Sequence, residues 1–324
     1  MAGIAAKVGL KGIGILIATT FATSSHVGLC AENRTAAIKL ASFAPSNTEL
    51  LYAIGAQDKL AAVCSYCDYP EDAKQKKIVG NFISANLERL ASVKPTKVVM
   101  VSGQEALAGQ LEHNGYKVEI LHNDHLSDIS KNLRELSTLT GNTARGAAAA
   151  SSLEKCLTDL KSIIDKTNSH PAVFYCIWPQ PLLTIGQKSY LSETITACGG
   201  DSTSKNLEAA YPHFSLEKLV LANPDIIILP YECKDREFLK KHPWSSLKAV
   251  KSNRVFFLPD PSHDGLARPT LRVTNGLYWL AKIIHPELAT QLDAWNSRTS
   301  ASLSDYSGKL PSSPGASSKQ AFAR

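Results

Sequence analysis

Cys64-Ser-Tyr-Cys67 sets two thiols three positions apart, a spacing that suits thiol–disulfide exchange, half of a zinc site or a short-loop disulfide. Zinc would need a second pair at similar spacing, and Cys30, Cys156, Cys176, Cys198 and Cys233 supply none. A redox-active pair usually opens a helix after a strand, whereas this one runs into Asp68-Tyr69-Pro70, a turn signal. In an oxidising compartment the simplest chemistry for Cys64 and Cys67 is a disulfide, closed at little loop-entropy cost. The other metal-seeking groups are histidines. His122-Asn-Asp-His125 follows a predicted strand over 116–121, and His263-Asp264 falls in a corresponding loop of the second half, so either could touch a metal-bearing ligand. No Ser-His-Asp order, paired-carboxylate pattern, GxGxxG in context or P-loop is present. No catalytic residues and no metal set of the chain's own are therefore expected. The alternative from another class is a thiol-redox or chelatase-like enzyme using Cys64 and Cys67.

These residues are positioned by an internal repeat. Asn86-Leu-Glu-Arg-Leu-Ala-Ser-Val-Lys-Pro95, then Thr96-Lys-Val-Val-Met100, recurs 129 positions later as Ser215-Leu-Glu-Lys-Leu-Val-Leu-Ala-Asn-Pro224, then Asp225-Ile-Ile-Ile-Leu229. Each copy reads as a polar cap, a short helix stopped by proline, and a β-branched run forming a buried parallel strand. The offset is too long for a solenoid and fits a duplicated lobe. Strands alternate with helices in both halves: strands over 38–42, 57–64 and 172–177, and helices over 46–54 and 192–197. That pattern predicts an α/β fold of two Rossmann-like lobes with parallel sheets. Residues 143–167 carry no proline and many strong helix formers, which predicts one long helix of about 37 Å joining the lobes as a stiff bridge. The organisation expected is an N-terminal α/β lobe over 36–142, the bridging helix over 143–168 and a C-terminal α/β lobe over 169–290.

Composition agrees with a folded, water-exposed chain: 324 residues, 44% apolar, 20% charged and 7% aromatic. The net charge of +6 is concentrated at the ends, where Lys7, Lys11 and Arg34, then Arg298, Lys309, Lys319 and Arg324, outnumber the acids. No basic, aromatic-interleaved surface remains between them, so nucleic acid is not an expected partner. Residues 1–31 read as a secretory signal peptide, with Lys7 and Lys11 ahead of an apolar core at 13–22 and a small-residue approach to Ala31. Leu29 before Cys30 argues for an exported soluble protein over a lipid-anchored one. Residues 304–324 are rich in Ser, Gly and Pro without apolar period and read as a disordered tail.

From about Lys39 to Ala289 the chain resembles the class III periplasmic binding proteins of ABC importers, the helical-backbone metal receptor superfamily, and especially its cobalamin-binding members. The resemblance rests on Phe43-Ala-Pro-Ser-Asn-Thr-Glu-Leu50, Ser65-Tyr-Cys-Asp-Tyr-Pro70, Val79-Gly-Asn-Phe82, Asn86-Leu-Glu-Arg89, Pro181-Leu-Leu-Thr-Ile-Gly186, Cys198-Gly-Gly200 and Ala267-Arg-Pro-Thr-Leu-Arg272. It implies a periplasmic, monomeric protein that holds a metal chelate in the cleft between its lobes and hands it to an inner-membrane permease. Cobalamin or a related corrinoid is the leading ligand, with a ferric siderophore or haem as alternatives, and no resident cofactor is implied. Ligand contacts carry over to Pro45, Tyr66, Phe82 and Tyr211, with Trp178 nearby and His263 and Asp264 in the facing loop. Phe82 and Tyr211 stand where the cobalamin binders carry tryptophan, and a third such position is Val101 here. A cysteine matching Cys198 is bridged in those proteins, but its partner position is Trp279, so pairing among Cys156, Cys176, Cys198 and Cys233 stays open. Glu88 and Glu217 occupy the same place in the two repeats. As first-turn acids they suit the helix dipole. The resemblance makes them the permease-docking carboxylates, one per lobe for a two-fold partner.

Overall fold

The computed structural model describes residues 37–306, apart from 231, 234 and 259–264. The signal segment, His263, Asp264 and residues 307–324 therefore lie outside the described residues. In the first half the strands are β1 (Leu40–Ser42), β2 (Leu60–Val63), β3 (Lys77–Ile78), β4 (Lys97–Val101) and β5 (Val118–Leu121). They form one all-parallel sheet in the order β3-β2-β1-β4-β5. Helices α1 (Pro45–Ala53), α2 (Leu87–Val93) and α3 (Glu105–His113) lie between strands, and α4 (Asp128–Thr140) follows β5. Helix α5 (Thr143–Ile164) then leads into the second half.

The second half holds β6 (Ala172–Pro179), β7 (Leu182–Thr184), α6 (Tyr190–Ala197), β8 (Asp201–Ser202), α7 (Leu216–Ala222), β9 (Ile226–Leu229), α8 (Lys248–Lys251), β10 (Val255–Phe257), α9 (Val273–Ile284) and α10 (Ala289–Leu303). Its sheet runs β10-β9-β6-β7, with β8 also on β6. The parallel expectation fails at one strand. β7 returns antiparallel to β6, because a turn through Gln180-Pro181 folds the chain back at once, with no crossover helix.

The repeat is the same structure twice. In α2 the Asn86 side chain accepts from the Arg89 amide at 2.9 Å, and in α7 the Ser215 hydroxyl accepts from the Lys218 amide at 3.2 Å. Both helices end in a left-handed residue, Lys94 (φ 52°) and Asn223 (φ 37°), directly before proline. The strands that follow are buried on both faces and sort their side chains with period two. Ile226 and Ile228 of β9 face one core cluster, while Ile227 and Leu229 face another.

The larger cluster has no boundary between the halves. It runs from Leu40, Leu50 and Leu133 through Leu153 and Leu160 of α5 to Val173, Ile195, Leu277 and Trp295. Helix α5 ends at Ile164, three residues before the predicted 167, where Asp165 to Thr167 turn toward β6. It presses so closely on α4 that a Cβ on Gly146 would sit 2.1 Å from Cβ of Ser137. Helix α10 was not anticipated. Leu292, Trp295, Thr299 and Leu303 form its buried stripe, and the Trp295 indole donates to the Cys156 carbonyl on α5 at 2.9 Å. Beyond it, 304–306 are ordered: the Arg145 guanidinium lies 5.3 Å from the Tyr306 ring centre and donates to the Asp305 carbonyl. Among the described residues no helix is long and apolar enough to cross a membrane.

Candidate functional site

Parallel strands give each sheet one carboxyl edge, where side chains of successive loops converge. In the first lobe that edge carries Pro45, the first residue of α1, Tyr66 in the turn after β2, and Phe82 in the loop after β3. Tyr66 is 59% exposed, whereas Phe82 is half-buried. The Phe82 loop is fixed by the buried Gln104, whose Nε2 donates to the Phe82 carbonyl at 2.6 Å and to the Phe43 carbonyl at 3.2 Å. Its Oε1 accepts from the Val101 amide at 2.9 Å. Val101 itself is buried and offers no ring to a ligand. In the second lobe Trp178 stands at the carboxyl end of β6, 44% exposed, with its indole N–H donating to the Gln180 carbonyl at 2.8 Å. Tyr211 is 54% exposed. A groove of about 650 Å³ opens beside Trp178, walled by Leu182, Phe214, Phe238 and Trp244. Three large rings are thus exposed, two of them, Tyr66 and Trp178, at the carboxyl ends of β2 and β6, and exposed rings suit the apolar edge of a flat ligand.

The two lobes meet through charges that sequence reasoning missed. Glu49 on α1, 4% exposed, accepts from Arg272 through Nε at 3.0 Å and Nη2 at 2.8 Å, and from Arg268 Nη1 at 3.0 Å. The same Arg268 nitrogen donates to Asp68 Oδ1 at 2.5 Å. The Arg272 guanidinium also lies 4.3 Å from the Tyr69 ring centre. Burial raises the Asp68 carboxyl's pKa, but the hydrogen bond and charge of Arg268 outweigh it and hold the group below its usual range. Glu49 and Asp68 follow β1 and β2, and both arginines lie in the segment after β10, so this cluster joins the carboxyl-edge loops of the two sheets. The available signal was the pairing of two acids in the first lobe's resemblance stretches with two bases in Ala267–Arg272.

The histidines resolve differently. His125 Nδ1 lies 2.5 Å from Glu193 Oε1 of α6, and Glu193 Oε2 accepts from the Leu126 amide at 2.8 Å. That hydrogen bond and the carboxylate charge raise the His125 pKa. His125 is therefore a tie between lobes. His122 is exposed beside Ser102 and Asp124. Among the described residues no group of three His, Cys, Asp or Glu side chains could hold a metal ion.

The Cys64–Cys67 disulfide is not formed. The two sulfurs share a hydrogen at 3.4 Å, well beyond the about 2.05 Å of a bonded pair, and the Thr48 hydroxyl donates to Cys67 Sγ at 3.1 Å. The Cys67 hydrogen bond draws the Cys64 pKa down, while that pairing and burial push Cys67 up. Both thiols are inside, 1% and 4% exposed, and all six cysteines from Cys64 to Cys233 are free and buried. Glu88 and Glu217 are exposed in the first turns of α2 and α7, at matching points of the repeat.

The model of a family described as periplasmic binding protein matches residues 40–261. The vitamin B12-binding protein of Vibrio parahaemolyticus is 29% identical over 241 residues, covering 74% of this chain and 86% of that one. The solved periplasmic vitamin B12-binding protein BtuF of Vibrio cholerae superposes with a TM-score of 0.64 at 27% identity, covering 79% of this chain and 97% of that one. A periplasmic haem-binding protein from Pseudomonas aeruginosa shares the fold at 22% identity and a TM-score of 0.64, covering 76% of this chain and 92% of that one. An uncharacterized ABC transporter substrate-binding lipoprotein, YvrC of Bacillus subtilis, is 27% identical over 261 residues, covering 77% of this chain and 80% of that one.

Proposed function

The chain belongs to the periplasmic binding protein family, and from that premise we propose that it is the exported substrate-binding subunit of an ABC importer, capturing cobalamin or a related corrinoid. The observation that carries the ligand class is the set of exposed rings, Tyr66 and Trp178 at the carboxyl ends of β2 and β6, with Tyr211 exposed in the second lobe. Exposed rings of this size mark a surface for binding, and each lobe contributes at least one of them. A corrin presents a wide, flat, largely apolar edge that such rings can grip from either side. The vitamin B12-binding relatives support the corrinoid over other chelates. In this reading residues 1–31 are removed on export, and Glu88 and Glu217 meet the permease. The burial of both Cys64 and Cys67 weighs against thiol-redox catalysis, which needs a thiolate that a substrate can reach.

The test is retention of colour. The purified protein is incubated with cyanocobalamin, haemin or a ferric siderophore, desalted, and the visible spectrum of the protein fraction recorded. Stoichiometric corrin absorbance, weakened in Trp178→Ala and Tyr211→Ala, is expected. Retention of haemin or the siderophore alone would move the ligand to that chelate. Turnover of a thiol substrate that disappears in Cys64→Ser would overturn the binding-protein reading.

A further inference from the structure

The exposed Tyr66 ring rides on a short turn whose two ends are held in different ways. The inner end is anchored in its own lobe. The Cys64 amide donates to the Ser42 carbonyl at 2.9 Å, Ser65 to Gly80 at 2.9 Å, and Cys67 back to Cys64 at 3.1 Å, with both cysteine side chains buried. The outer end is Asp68, whose amide closes on the Tyr66 carbonyl at 3.1 Å and whose carboxylate is half-exposed. The ion pair on that carboxylate comes from the other lobe, from Arg268 at 2.5 Å. Arg268 is 19% exposed and rests against Glu49, which Arg272 grips from behind with two hydrogen bonds. A charge-assisted bond to a post fixed in this way restricts the turn far more than a contact between two mobile surface chains.

We propose that Arg268 is a positioning residue for ligand capture: by holding Asp68 from across the lobe boundary, it fixes the turn that presents Tyr66 to the cleft. The inference rests on the reading of that cleft as the ligand site. Its physical basis is pre-organisation. A ring already in its bound position has no ordering cost to meet on binding, whereas a turn freed at one end must be re-ordered each time. Arg268 touches no ligand in this scheme; it acts through Asp68 and Tyr66.

The test uses Arg268→Gln, Arg268→Lys and Asp68→Asn in the full chain, each alone and combined with Tyr66→Ala. One readout needs no ligand: amide hydrogen exchange of residues 65–68. The other is the dissociation constant for cyanocobalamin by spectral titration. Exchange is expected to accelerate in Arg268→Gln and Asp68→Asn and to be largely restored by Arg268→Lys. Affinity is expected to fall about tenfold in the first two variants, with no further loss when Tyr66 is already alanine, because the pre-organised group is gone. Unchanged exchange, or an equal affinity loss in the Tyr66→Ala background, would overturn the proposal. If Arg268→Gln fails to fold, Asp68→Asn, a near-isosteric change at a half-exposed side chain, carries the same test. Wild-type protein that retains no cyanocobalamin would sink the corrinoid reading, and the exchange measurement would still decide for or against the pin.

Discussion

Arg272→Met asks how firmly the two lobes are fastened. In the wild type Glu49 receives three N–H donors, two of them from Arg272, and the side chains of the pair are 4% and 3% exposed. Removing one member of a buried pair costs about 3–5 kcal/mol, because a desolvated charge is left behind. Arg268 still reaches Glu49 at 3.0 Å, so the low end, about 3 kcal/mol, is appropriate. For a folded unit of this size each kcal/mol moves the melting point by about 2–4 °C, which gives a fall of about 6–12 °C. Differential scanning calorimetry at pH 7 reads it directly. The companion variant Glu49→Leu/Arg272→Met removes both charges and should recover most of the loss, since an apolar pair of similar volume avoids desolvation altogether. A single variant that melts within about 2 °C of wild type, or a double variant that melts below the single, would refute the reasoning.

Two further outcomes are expected. Because Glu193 raises the His125 pKa, the pair's stabilisation is fully present below the unfolded value of about 6.5 and fades as pH rises through the folded value. Both side chains are well exposed, so it amounts to about 0.5 kcal/mol, and the gap in urea midpoint between wild type and His125→Asn should shrink as pH rises above about 6.5. A gap that widens with pH contradicts the sign. For docking, Glu88→Ala and Glu217→Ala should each weaken stimulation of the cognate permease's ATPase, and together abolish it, with ligand affinity unchanged. Wild-type stimulation by the double variant would leave the two carboxylates as helix-dipole residues only.

Much of the scaffold was legible because it is local. The recurring Leu-Glu-x-Leu with proline behind it fixes cap, helix length and stop within ten residues, and the β-branched run that follows can only be a covered strand. Strand β7 escaped because Trp178-Pro-Gln-Pro-Leu182 reads as loop chemistry, and direction within a sheet is not written in propensity. Helix α10 did leave a signal, Leu292, Trp295, Thr299 and Leu303 at helical spacing, which a polar composition concealed. At the site, the aromatic positions were accessible through motif resemblance, whereas Asp68 and Arg268 are 200 residues apart and each is an ordinary loop charge until the fold joins them. The thiols show a different limit. Spacing says that Cys64 and Cys67 are neighbours, but only their surroundings, Thr48 above all, say in which form the structure holds them.

The seamless core that passes from Leu40 through α5 to Trp295 bears on how a ligand is chosen. Rotation of one lobe against the other would shear close-packed side chains along the whole length of that core, and packed interiors give way in steps, not smoothly. On the reading proposed above, a ligand cleft between the lobes would therefore act as a fixed gauge. A molecule too thin touches one wall and falls away, and one too thick meets walls that do not yield. A jaw that closes can clasp guests of many sizes. On the binding-protein reading, such a protein would sort by thickness first and by chemistry second.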